Sequence, residues 1–86
     1  MNCLIIDRIE DSGHSWGKVE VSLLNKLGIT DKITPYSYWG GSYAYLEEDC
    51  DLSLLYHTAV EAGYDVRFNR VWVEDFSDYC VENGIR

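Results

Sequence analysis

Basic residues are scarce in this 86-residue chain: seven lysines and arginines stand against fifteen aspartates and glutamates, a formal charge of −8 at pH 7. Such a balance repels nucleic acid and anionic membranes and attracts basic partners, so direct nucleic-acid binding is not expected. Cysteine is sparse and odd in number. Cys3, Cys50 and Cys80 form no CxxC pair and cannot complete a disulfide framework; reduced thiols in a cytoplasm are the expected setting. Proline occurs once, at Pro35, where the missing amide donor favours a strand start or a sheet edge. No run is long and apolar enough to span a membrane, and residues 1–9 lack the positive segment and long apolar core of a signal peptide. Repeats, linkers and low-complexity tracts are absent as well.

What is present is apolar and aromatic. With 47% hydrophobic and 14% aromatic residues, the chain reads as one folded domain over residues 1–86. A chain of this size buries roughly 60–65% of its unfolded surface, enough for one small core. The negative charge then has two readings: solubility alone, or a surface shaped for a basic partner.

The most informative stretch is Pro35–Leu46, followed by Glu47-Glu48-Asp49-Cys50-Asp51. Gly40-Gly41 reads as the two-residue type I′ turn of a β-hairpin, because both glycines tolerate positive φ. That turn sets Trp39 opposite Ser42, Tyr38 opposite Tyr43, Ser37 opposite Ala44 and Tyr36 opposite Tyr45. Opposed residues point the same way, so Tyr36, Tyr38, Tyr43 and Tyr45 share one face beside a carboxylate cluster.

Around it, residues 3–9 and 16–21 read as strands from their β-branched and alternating patterns. Ser22 is a candidate N-cap for a short helix lined by Leu23, Leu24 and Leu27, with Gly28 as its left-handed stop. Asp49 or Asp51 is expected to cap the longest helix, which buries Leu52, Leu55, Tyr56 and Ala59 and ends near Gly63. Residues 65–73 form a last strand. There Val66 and Phe68 share one parity while Val71 and Val73 take the other, which predicts a bulge near Asn69-Arg70. Residues 74–82 form a closing helix with Phe76, Tyr79 and Cys80 inward. The fold class is α+β: a small, mostly antiparallel sheet with a central Gly-Gly hairpin and two to three helices packed on one face.

No catalytic set stands out. Cys50 and His57 lie about 10 Å apart along one helix, too far for one zinc ion, and no metal or cofactor is expected. Asp11-Ser12-Gly13-His14-Ser15-Trp16 holds the residue types of nucleophilic catalysis, but side by side in sequence, and reads as a solvated turn. Gly40-Gly41 has no following helix start or lysine to make a phosphate loop.

The segments Asp11–Trp16, Leu27–Ile29, Tyr36–Tyr38 and Tyr45-Leu46-Glu47-Glu48-Asp49-Cys50-Asp51 resemble a family of small uncharacterised acidic proteins of phages and other mobile elements. The likeness covers roughly residues 5–63 and implies a bacterial mobile-element origin without a mechanism. Size and charge are also similar to anti-defence inhibitors of the anti-CRISPR and antirestriction kind. Residues 17–29 resemble the strand–helix opening of swapped-hairpin transcription factors, but only Lys18, Lys26 and Lys32 supply positive charge there. The resulting expectation is a non-enzymatic phage-type protein in the bacterial cytoplasm, a monomer or homodimer. It would occupy a basic, nucleic-acid-binding surface of a host defence protein. Tyr36, Tyr38, Tyr43 and Tyr45 would anchor the partner, and Glu47, Glu48, Asp49 and Asp51 would steer it. The alternative is an accessory protein whose tyrosine hairpin pairs with itself or a neighbour's strand.

Overall fold

The computed structural model describes residues 2–86. In chain order the elements are β1 (Asn2–Glu10), β2 (Ser15–Glu20), α1 (Val21–Leu27), a 3-10 turn (Thr30–Lys32), β3 (Tyr38–Gly40), β4 (Tyr43–Glu47), α2 (Asp51–Glu61), β5 (Tyr64–Trp72) and α3 (Phe76–Asn83). The five strands form one sheet in the order β3-β4-β2-β1-β5. Every neighbouring pair is antiparallel except β1–β5. The class is α+β, a mostly antiparallel sheet with three helices.

Side-chain alternation along the strands splits the interior into two cores. On one face, Ile6, Val19, Ala44 and Leu46 meet Leu24 and Ile29 from the α1 region and Leu52 and Leu55 of α2. On the other, Ile9, Trp16 and Tyr45 meet Phe76 and Cys80 of α3, with Ile85 beyond it. Two helices thus share a face, and α3 covers part of the opposite one instead of joining them.

This division explains the parity change in the last strand. Its pairing with β1 runs unbroken from Asn2↔Tyr64 to Glu10↔Trp72, with no bulge at Asn69-Arg70. Val66 packs on the first core and Val71 and Val73 on the second. A straight strand whose two halves are covered on opposite faces produces the same apolar pattern that a bulge would.

The hairpin register differs from expectation by two residues. Tyr38 pairs with Tyr45, Trp39 with Ala44 and Gly40 with Tyr43. The loop is therefore Gly41-Ser42. Gly41 has φ +60° and no other residue of the turn has positive φ, which suits a type II′ turn with glycine in first position. Gly40 has a different task. A Cβ there would lie 3.2 Å from the Ile85 Cα and 3.3 Å from the Gly84 carbonyl. Its bare backbone lets the C-terminal residues run alongside β3, where Trp39 and Arg86 exchange both backbone hydrogen bonds (2.6 and 2.7 Å). A shift of two keeps face parity, so Tyr38, Tyr43 and Tyr45 still share a face; Tyr36 lies before the strand.

Helix ends also differ in detail. Gly28 stops α1 in the left-handed conformation, as its position predicts, but α1 starts at Val21 and Ser22 does not cap it. Nor does an aspartate cap α2, whose N-terminal amides are held by Glu47.

Candidate functional site

Strand register places four strand termini together. Glu10 pairs with Ser15 and with Trp72, and Trp16 pairs with Glu47. One end of the sheet therefore collects the β1–β2 loop, the β4–α2 turn and the β5–α3 turn. With them come Glu10, Asp11, Glu47, Glu48, Asp49, Glu74 and Asp75, which lie in three separate sequence groups. Asp78 and Glu82 continue along α3, where they line a small concavity with Glu74 and Asp75.

Two adjoining grooves cross this end. The larger, about 570 Å³, is bounded by Arg8, Glu10, Phe68 and Arg70 on the strands and by the Asp11–Ser15 loop and Glu48. The smaller, about 200 Å³, lies between His14, Ser15, Trp16, Glu47 and Glu48 on one side and Tyr36 and Tyr38 on the other. His14, Ser15 and Glu48 belong to both.

The polar network between them is continuous. The Arg8 guanidinium donates to Ser15 Oγ (3.1 Å), and Ser15 Oγ donates to Glu48 Oε2 (2.9 Å). His14 Nδ1 faces Glu48 Oε1 at 3.4 Å. Arg70 makes a two-pronged contact with Glu10 at 2.9 and 3.1 Å, and this pairing, set against modest burial, holds the Glu10 carboxyl below its ordinary value. Asp11 accepts from the backbone N–H groups of Gly13, His14 and Phe76, which likewise lower its pKa. Asp11 thereby ties the β1–β2 loop to the start of α3.

The expected site residues divide by what they touch. Asp51 is 1% exposed. Its carboxylate accepts from the Thr34 N–H and hydroxyl and from the Ser37 hydroxyl, so it pins the loop before β3 and does not face a partner. Tyr45 is 5% exposed and belongs to the second core; burial pushes its hydroxyl pKa up. These two are structural, corrections to their expected partner-facing role. Tyr43 is half-buried, with the Lys18 ammonium 4.3 Å from its ring centroid. Tyr36 and Tyr38 remain exposed, at 73% and 38%. Glu48 is half-buried in the network above, and Asp49 is exposed.

Glu47 serves the helix. Burial acts to raise its pKa, but the N–H groups of Cys50, Asp49 and Asp51 outweigh that and leave it lowered. Carboxylates in this position complement the positive end of the helix. The sign follows directly: stability from Glu47 is complete above the ordinary value of 4.5 and is lost as pH falls through the lower folded value. Glu47→Gln should therefore be less stable than wild type at neutral pH. Urea titrations at descending pH should show that gap closing below pH 4.5; a constant gap would contradict the assignment.

The nucleophile pattern of residues 11–16 is not assembled. Ser15 is buried and donates its hydroxyl to Glu48 rather than to His14. Cys50 is exposed, but the Glu47 charge beside it pushes its thiol pKa up, which keeps thiolate scarce near neutrality. Among the described residues, no group of three His, Cys, Asp or Glu is placed to hold a metal ion. No helix among them is long and apolar enough to cross a membrane.

Arg8, Arg70 and the 65%-exposed Trp72 are features of this end that were not singled out from sequence. The only signal was their shared parity with Phe68, and it becomes legible once β1 and β5 are known to be parallel neighbours. No protein-family model, curated protein or solved structure matches the chain.

Proposed function

We propose that the protein is a non-enzymatic binding module whose acidic sheet end receives a basic surface of a partner protein. One observation supports this reading above the others: register gathers carboxylates from three sequence groups at one end, beside a groove walled by the exposed Tyr36 and Tyr38. Aromatic side chains supply buried contact area at low entropic cost and anchor interfaces, while surrounding charges accelerate encounter. Asp49, Glu74 and Glu48 are the steering charges of this site; Tyr36 and Tyr38 are its anchors. A nucleic-acid-binding groove on a host defence complex has the matching charge, and the protein would compete there with the phosphate track.

Hairpin self-pairing has less support, because Arg86 already occupies the outer edge of β3. An incoming strand would first have to displace it.

Tagged protein should recover a basic partner from bacterial lysate at low salt and lose it at high salt. Asp49→Lys combined with Glu74→Lys should slow association about tenfold or more and flatten its salt dependence, with the dissociation rate little changed. Tyr36→Ala with Tyr38→Ala should instead speed dissociation. A folded charge-reversal variant with unchanged kinetics would remove the acidic end from the account. Displacement of the partner by DNA distinguishes a nucleic-acid-binding groove from another basic surface.

A further inference from the structure

We infer that the outer edge of β5 is a homodimer interface, at which two copies join antiparallel into one ten-stranded sheet. The two edges of the sheet are not alike. On β3 the outward backbone groups of Trp39 are taken by Arg86. On β5, paired with β1 along all nine residues, no strand among the described residues lies beside the outer side. The Val73 N–H donates to the Glu10 carbonyl. Alternation along the strand then turns the backbone N–H and C=O groups of Val71 and Asn69 toward β1, and those of Val66, Phe68 and Arg70 toward the open edge. An edge of this length without proline or bulge is a template for another strand.

The apolar surface gathers at the same edge. Phe68 and Trp72 are 38% and 65% exposed, and on α2 Tyr56 and Val60, one turn apart, are 38% and 45% exposed. Tyr56 stacks on Phe68 with ring centroids 6.3 Å apart. Tyr64, Phe68 and Trp72 share the α2 face by alternation.

A second copy fits this edge in a defined register. A two-fold axis through the sheet keeps like faces together, and centring it on Phe68 pairs all nine residues. Phe68 then meets Phe68 of the second copy, and Tyr64 meets its Trp72, which are aromatic cross-strand pairs. Arg67 faces Asn69, Arg70 faces Val66 and Asp65 faces Val71, so no like charges are directly opposed. Centring on Arg67 would oppose two guanidiniums. Antiparallel joining also sends the two acidic sheet ends to opposite extremes of the pair, which limits repulsion between two chains of −8.

Sedimentation equilibrium of the full chain from micromolar to millimolar concentration tests this, with amide exchange at both limits. The mass should rise from one chain to two, more readily as salt increases, opposite in sign to the salt response of the acidic end. Amides of Val66, Phe68 and Arg70 should gain protection only in the dimer. Phe68→Lys sets two ammoniums across the axis and should weaken self-association about tenfold or more. Wild-type exchange does not depend on how that variant folds. A single-chain mass throughout would overturn the interface, as would protection confined to the hairpin, or a strict monomer whose β5 edge captures a foreign peptide.

Discussion

Asp51→Ala should lower stability by about 3 kcal/mol, whereas Asp49→Ala, two residues earlier, should stay within about 0.5 kcal/mol of wild type. The contrast follows from what each carboxylate touches. Asp49 is exposed. Asp51 is 1% exposed and holds the Thr34 amide, the Thr34 hydroxyl (2.8 Å) and the Ser37 hydroxyl. Ser37 Oγ in turn accepts from the Glu47 N–H at 3.0 Å. Removing the carboxylate strands buried donors in a loop that positions β3, and a hydrogen bond to a charged group contributes about 1.5–3 kcal/mol. In a domain of this size that loss should lower the melting midpoint by roughly 12–24 °C. Asp51→Asn, which keeps one acceptor oxygen, should fall between. Urea denaturation of the three variants checks the order; equal midpoints for Asp49→Ala and Asp51→Ala would refute it.

Trp16→Ala should cost about 3–5 kcal/mol, and it should loosen α3 before the rest of the fold. Trp16 is 9% exposed and stacks on Phe76 with ring centroids 3.6 Å apart and planes 9° from parallel. Phe76 opens an eight-residue helix whose other buried residue is Cys80. So short a helix has little stability of its own and depends on the sheet face it covers. Native-state amide exchange should show α3 opening well below the global unfolding energy in the variant. Leu55→Ala, in the core on the other face, should destabilise the whole domain without singling out α3. Uniform loss of protection in Trp16→Ala would mean that the two cores act as one.

Much of the local structure was legible from residues alone. Gly28 as a left-handed stop, the strand over residues 3–9 and the helix burying Leu52, Leu55 and Ala59 are set by near neighbours in sequence, whereas Tyr56, expected on the same buried stripe, is 38% exposed. Errors came where distant residues decide. Gly40 looks like half of a turn because its neighbour is glycine, but the backbone of Ile85 is what keeps it bare. The parity change after Phe68 implies a bulge only if the strand buries a single face, and its two halves are covered on opposite faces. Asp51 reads as one more charge of the Glu47–Asp51 cluster because the partners that bury it, Thr34 and Ser37, lie 17 and 14 residues away.

Periodicity, turn residues and charge are local or additive properties, and they were enough to establish an acidic α+β chain, its element types and its hairpin. Tertiary structure alone decided which carboxylates meet at one end of the sheet, which tyrosines remain exposed and which sheet edge stays open. Those outcomes depend on strand order and register, which are settled by burial of both faces at once and by contacts as remote as Trp39 with Arg86.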